Sequence, residues 1–427
     1  MLNAQVEKLS LVRGNVIIVG VDVAKKKNVA RFFDTDGFEL CKYFKFRNDR
    51  AGILSFISKC LNIKEQQGAE RIVIGMEPSG HYWEPLAYFL KEYPIVQVLV
   101  NPYHVKQSKE MDDNSPDKND IKDARLIAKL VKDGSFFKTY LPEGVYRDLR
   151  NLTSEREQQC AKLNSAKNRL VALLDRYFPE YVKVFKNLLG KTSVFILKIY
   201  TFPEDIEKLT EEELTGVIKA ASNKRLGSKK AKELKKAAES SVGLTEGLDS
   251  ARYRIKSCLE EIEFHLKQLE ATEQKMSALL SQTGYKLNLL SIPGVGIVTA
   301  ARFLGEVGDL SRFEHPSQVI KLAGFNLRGS TSGEKQNSKT VITKRGRSRL
   351  RCLLYQAALI AAARNPQLRA LYYYFKTRPK NPLKPNQALI AVANKLVRIM
   401  FALIKKNEFY NPALVLGEMR ESQLKVA

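Results

Sequence analysis

Two short runs constrain this chain more than anything else in it. Val16–Val23 reads VIIVGVDV and Arg71–Met76 reads RIVIGM, each nearly unbroken in apolar, β-branched residues. A strand with one wet face would alternate; a run without alternation belongs to a strand covered on both sides. The chain must therefore build a sheet with helices over both faces. Val29–Phe33 and Leu40–Phe46 read as the next two strands, with Asp34-Thr35-Asp36-Gly37 as the turn between them. Ala51–Leu61 has helical spacing, His81–Leu90 reads as a helix and Ile95–Val100 as a fifth strand. Asp117–Lys132 carries Ile121, Leu126, Ile127, Leu130 and Val131 at helical steps and stops at Gly134. Strands, a helix and further strand–helix alternation predict an α/β layer fold with a mixed sheet.

From about Arg147 to Gln282 the pattern changes. Asp148–Tyr177 and Ser250–Gln282 each suit a long helix, with Leu259, Ile262, Leu266, Leu269 and Met276 recurring at three- and four-residue steps. Between them Pro203–Ala238 suits shorter helices with a basic stretch, KRLGSKKAKELKK. An antiparallel helical arm is the plain reading. The third part is helical again and punctuated by glycines. The predicted boundaries are residues 1–147, 148–282 and 283–427.

Charge narrows the partners. With 71 Lys and Arg against 46 Asp and Glu the chain carries +25 at pH 7, a self-repulsion that a polyanion would offset. Between Glu334 and Glu408 there is no acid and seventeen Lys or Arg, interleaved with Tyr355, Tyr372, Tyr373, Tyr374 and Phe375. A solvated face of mixed sign would not exclude acids over such a length; a nucleic-acid face would. The five cysteines are scattered with no zinc-ligand spacing. MLNAQVEKLSLVRGN lacks the apolar core of a signal peptide, and no apolar run has the length of a membrane span. A soluble, cytoplasmic protein is expected, with no membrane partner.

The candidate chemistry is carboxylate chemistry. Asp22 interrupts an apolar run, where a carboxylate is costly unless paired or metal-bound. Glu77 directly follows RIVIGM and projects from a strand end. Asp120 and Asp123 stand three apart on one helix face. Singly, each has an ordinary explanation as a turn, strand-end or helix-start acid. Together they are what a site for two hard divalent cations requires: oxygen ligands on rigid elements around a gap for phosphate.

Two further stretches matter. In Leu290–Ala301, helical runs flank Pro293-Gly294-Val295-Gly296, which resembles a helix–hairpin–helix: Gly294 and Gly296 would let backbone approach a phosphate at the next helix's N-terminus. The plain alternative is a tight turn without a ligand. Gly324–Arg351 (GFNLRGSTSGEKQNSKTVITKRGRSRLR) places Ser330 and Ser332 before Lys344, Arg345, Arg347, Arg349 and Arg351, candidate nucleic-acid contacts. A serine needs an activating base or metal, and only Glu334 is near in sequence, so composition alone favours a loop or phosphate-contact role for Ser332.

These stretches together resemble the insertion-sequence-110 family of DEDD transposases, the bridge-RNA-guided recombinases. The matching motifs are GVDVAKKKNVA, MEPSGHYWEPL, DNSPDKNDIKDARLIA, IPGVG and ITKRGRSRLR, in order over nearly the whole chain. The resemblance implies a RuvC/RNase H-like catalytic domain, a helical coiled-coil region and a mainly helical C-terminal transposase domain with a helix–hairpin–helix and a serine loop. It implies Asp22, Glu77, Asp120 and Asp123 as ligands of Mg²⁺ (or Mn²⁺), and Ser332, in Thr331-Ser332-Gly333, as the nucleophile. That reverses the composition-only reading of Ser332. It further implies donor and target DNA, a structured noncoding bridge RNA that reads sequence by base pairing, a homodimer or homotetramer, and a bacterial or archaeal host whose nucleoid DNA is the substrate. The competing expectations are a RuvC-like nuclease using the same four acids with metal-activated water, and a non-catalytic nucleic-acid-binding protein in which the acids are structural.

Overall fold

The computed structural model describes residues 2–112, 119–328 and 341–416. They form two compact units, 1–141 and 142–427.

In the first unit the order is α1 (Leu2–Leu11), β1 (Val16–Asp22), β2 (Lys27–Phe33), β3 (Phe44–Arg47), α2 (Arg50–Gln66), β4 (Arg71–Met76), α3 (Trp83–Leu90), β5 (Val96–Val100), α4 (Pro102–Asp112), α5 (Asp120–Lys132) and β6 (Phe136–Lys138). The six strands lie in the order β3-β2-β1-β4-β5-β6. β1, β4 and β5 are parallel, and β2, β3 and β6 run antiparallel to their neighbours. Alternate residues of the apolar strands serve two cores, as the absence of alternation requires. Ile17, Val19, Val21, Ile72, Ile74 and Met76 pack with Phe56 and Ile57 of α2 and Leu86 and Leu90 of α3. Val16, Ile18, Val73 and Val98 pack on the other side with Ile127, Ala128 and Val131 of α5.

The mixed, doubly covered sheet is the expected α/β fold and fits a RuvC-like transposase domain. Four differences from the sequence expectation stand out. The third strand begins at Phe44, and Glu39 makes only an isolated bridge to Phe33 while ion-pairing with Arg31. α1, α4 and β6 lie where no element was expected. α4 is polar along most of its length, and β6 is only three residues long, so neither gives a periodic signal.

The second unit opens with α6 (Gly144–Tyr177), followed by α7 (Tyr181–Val184), α8 (Lys191–Ile199), α9 (Pro203–Glu207), α10 (Glu211–Ala221), α11 (Ser228–Glu239) and α12 (Leu248–Gln282). α6 and α12 are antiparallel partners, each about 50 Å long at 1.5 Å per residue. Arg156–Glu273, Gln159–His265 and Arg169–Glu261 lie in register along the pair. At its far end α7–α11 close a core of their own around Phe178, Tyr181, Phe202 and Ile218. The rest comprises α13 (Lys286–Leu290), α14 (Ile297–Val307), α15 (Pro316–Leu322), β7 (Leu327–Arg328), β8 (Val341–Ile342), α16 (Ser348–Arg364), α17 (Pro366–Thr377), α18 (Pro385–Lys406) and α19 (Ala413–Leu416). Leu149, Met276 and Leu280 at the near end of the long pair share one core with α14, α16 and α18. α18 is long and apolar enough, by length and composition alone, to cross a membrane. Its residues Ala388, Leu389, Val392, Ala393, Leu396, Val397 and Met400 are buried in that core.

Candidate metal centre and nucleic-acid interface

The register between β1 and β4 pairs Val16 with Arg71 and Val21 with Met76. One further step sets Asp22 opposite Glu77, at the carboxyl ends of two adjacent parallel strands. By strand alternation, Asp22 shares a face with Gly20, and Glu77 with Gly75. That is the face α5 covers, and Gly20 and Gly75 are themselves register partners. A Cβ on Gly20 would stand 2.0 Å from the Ala124 carbonyl oxygen and 2.5 Å from the Ala128 amide nitrogen. One on Gly75 would stand 2.4 Å from Val131 Cγ2. The glycine pair is a slot into which the small residues of α5 sink, and this depth brings the helix's first turn to the strand ends.

Asn119 caps that turn, its side chain accepting from the Ile121 amide at 3.0 Å. Asp120 and Asp123 both lie in the turn, but differently: Asp123 is buried and Asp120 exposed. The helix's positive end faces the acids. Burial pushes the Asp22 carboxyl up to about 6, and the charges of Asp123, Asp120 and Glu77 push the same way. All four predicted acids therefore act on one locus. Glu77 accepts a hydrogen bond from the Ser79 hydroxyl, and Lys109 of α4 sets its Nζ 2.6 Å from Asp123 Oδ2.

Behind the acids, Asn48 donates from Nδ2 to the carbonyls of Ala24 (3.3 Å) and Tyr82 (3.2 Å), linking the loop after Asp22 to the loop after Glu77. Asn28 Oδ1 accepts from the Ala24 amide at 3.0 Å. Sequence reasoning missed Lys109, Asn48 and the glycine slot. The signal available for the slot was a glycine inside each of two apolar strands.

Among the described residues, no group of three or more His, Cys, Asp or Glu side chains closes tightly enough to hold an ion as it stands. The donor set is nevertheless of the right kind. It is all-oxygen and anionic, it is carried by two strand ends and a helix, and burial together with the three neighbouring acids pushes the Asp22 carboxyl up to about 6.

The second unit separates the other candidates. Gly294 has φ +93°, and a Cβ there would meet the Ala361 Cα at 3.1 Å, so the turn needs glycine for its own backbone and its packing on α16. Gly296 precedes α14 without a side-chain cap, and nothing lies within 4 Å of where its Cβ would be. Of the basic motif, Arg347 donates to the Glu306 carbonyl. Arg349 pairs with Glu157 at 3.0 Å and donates to Ser154 at 3.0 Å. Arg351 donates to the Ala323 and Lys344 carbonyls at 3.1 and 3.2 Å. These three clamp α16 onto its neighbours. Lys344 and Arg345 are exposed, and among the described residues no ion pair holds either side chain. Ser330 and Ser332 lie outside the described residues. They fall in sequence between β7 and β8, which pair antiparallel through Leu327–Ile342 and Arg328–Val341.

A family model of DEDD transposases of the IS110 type matches residues 19–179, and a model of the IS116/IS110/IS902 transposase family matches residues 287–373. The first spans every acid of the cluster, and the second spans the glycine turn and the basic motif. The chain is 26% identical over 402 residues to an insertion element IS116 protein of Streptomyces clavuligerus, covering 94% of this chain and 98% of that one. It is 23% identical over 303 residues to an insertion element IS110 protein of Streptomyces coelicolor, covering 70% and 74%. A pilin gene-inverting protein of Moraxella lacunata is 30% identical over 128 residues, covering 30% and 39%.

Proposed function

The chain belongs to the IS110 family of DNA transposases, and on that premise we propose that it recombines DNA through a covalent serine–phosphate intermediate at a divalent-metal site. The observation that carries the reading is the convergence of Asp22, Glu77 and Asp123, with Asp120 beside them, at the carboxyl ends of the two central strands. The proposed ligands of Mg²⁺, or Mn²⁺, are these four carboxylates. Bound there, such an ion would draw negative charge from a scissile phosphate and ease departure of the leaving oxygen. The protein's own tasks are to hold the carboxylates in place through the glycine slot and the Asn48 link, and to supply the nucleophile.

That nucleophile is Ser332. Its Oγ forms a bond to phosphorus as a phosphodiester P–O bond breaks, and the freed deoxyribose oxygen takes a proton. Attack by a second strand's hydroxyl on the phosphoserine then rejoins DNA and restores the serine. The name of the Moraxella relative, which inverts a pilin gene, supports a rearranging rather than a degrading outcome. Sequence choice is assigned to a structured noncoding RNA, and the exposed Lys344, Arg345 and Gly296 to backbone phosphates. A dimer or tetramer would hold both duplexes.

The deciding experiment looks for the adduct. Protein purified with its accompanying RNA is given Mg²⁺ and junction DNA, digested, and searched by mass spectrometry for a nucleotide on the Gly329–Lys335 peptide. An adduct on Ser332, absent from Ser332→Ala, is expected. Cleavage without an adduct, lost in Asp22→Asn, would instead make the protein a RuvC-like nuclease with water as nucleophile.

A further inference from the structure

Lys109 is a basic side chain ion-paired to the acid cluster. It projects from α4, its ammonium 2.6 Å from Asp123 Oδ2, with 38% of its side chain exposed against 12% of the aspartate's. α4 packs against α5, so the lysine reaches the cluster from a separate element. Its field also reaches Asp22, where it opposes the upward push of burial and of the other three acids. The pair is lopsided. The carboxylate is fixed in a capped helical turn, whereas the cation rides on a flexible, half-solvated four-carbon stem.

An ammonium at this distance takes both an oxygen and the field that a divalent ion would take. The two cations cannot share Asp123 Oδ2 without standing almost in contact. Asp123 lacks the freedom to choose between them by moving, so the lysine is the partner that yields. A released ammonium beside a strongly acidic site then faces whatever anion enters, and in a DNA-cutting enzyme that anion is a phosphate.

We propose that Lys109 and the divalent ion compete for Asp123, and that the displaced ammonium transfers to the DNA phosphate brought to the site. This rests on the reading of the four acids as metal ligands and adds to it a built-in placeholder. The placeholder neutralises the cluster before metal arrives and is reused once metal is bound.

The test uses full-length protein and two readouts. Metal binding is followed, without DNA, as the shift in melting midpoint during Mg²⁺ and Mn²⁺ titrations; cleavage of junction DNA is measured separately at saturating metal. In Lys109→Met the half-saturating metal concentration should fall by about three- to tenfold, the scale of one partly exposed ion pair. Cleavage at saturation should fall in the same variant by at least about tenfold. Lys109→Arg should keep the competition. A merely structural lysine would worsen both readouts together, so movement in opposite directions is the signature. Lys109→Gln serves if the methionine form does not fold. Half-saturation that is unchanged or raised overturns the competition, and tighter metal with undiminished cleavage overturns the transfer to phosphate. If wild type shows no metal-dependent shift, or Asp22→Asn and Asp123→Asn shift as wild type does, the carboxylate reading itself has failed, and the proposal with it.

Discussion

Asp22 is a half-buried acid whose ionised form the fold resists. Its carboxyl is pushed up to about 6 by burial and by Asp123, Asp120 and Glu77, from an ordinary value of 3.8. A raised folded-state value stabilises the fold below the unfolded value and loses that contribution as pH rises through about 6. Above neutrality the metal-free protein therefore carries a cost. The full shift corresponds to about 3 kcal/mol, and partial access to water reduces it to about 1–2 kcal/mol. In EDTA at pH 8, Asp22→Asn should melt about 2–5 °C above wild type, with the gap closing toward pH 4; a gap independent of pH would refute this account. Gly20 poses the opposite case. A methyl there meets the backbone of α5 rather than a side chain that can turn aside. Gly20→Ala should thus cost at least about 2 kcal/mol and lift the acids of α5 off the strand ends. Denaturant unfolding reads the first effect and loss of metal-dependent stabilisation the second.

At the scale of elements, the basic motif before α16 divides in two. Arg347 and Arg351 are half-buried and donate to the carbonyls of Glu306, Ala323 and Lys344, the exposed Arg349 is engaged by Glu157 and Ser154, and Lys344 and Arg345 are exposed without an ion pair among the described residues. Arg345→Ala should leave the melting midpoint unchanged, weaken DNA binding about equally for all sequences, and flatten the salt dependence by about one unit of slope. Arg351→Ala should instead lower the midpoint, since it leaves two carbonyls short of a donor. Equal effects of both on binding, with no loss of stability, would refute the division. The same contrast shows what was legible beforehand. β1, β4 and α5 follow from their residue patterns because burial on one or both faces writes itself into sequence. Asp22 stood out in sequence as an exception to its apolar run, Glu77 by its place directly after one, and Asp120 and Asp123 by their three-residue spacing on one helix face. Lys109 did not, because α4 has no apolar stripe and its lysine meets Asp123 only through tertiary packing. The structural role of the arginines was hidden too: a Lys/Arg run reads alike whether its partners are phosphates or the protein's own carboxylates and carbonyls.

For the whole molecule, charge and core divide along the chain at the same place. Residues 1–141 hold 22 Lys and Arg against 18 Asp and Glu, so they carry +4 of the total +25, leaving +21 to residues 142–427. The described cores respect that division: both faces of the sheet are covered by helices of the first unit, and the clusters of the second unit draw on residues beyond 141. A nearly neutral unit that carries the acids and a strongly basic unit that carries the serine and the arginines predict separable functions. Residues 1–141 expressed alone lie in the ordinary size range of a domain and should unfold in one cooperative transition. Divalent metal should raise its midpoint, and Asp22→Asn should abolish the rise. It should bind DNA at least about a hundredfold more weakly than the full chain at low salt, since affinity of this kind follows the number of phosphates neutralised. Residues 142–427 should keep most of the DNA affinity and its steep salt dependence while showing no metal-dependent shift. Each fragment is also a control on the other. If 1–141 bound DNA as the full chain does, the acid-bearing unit would itself hold the duplex and the basic stretch would need another polyanionic partner.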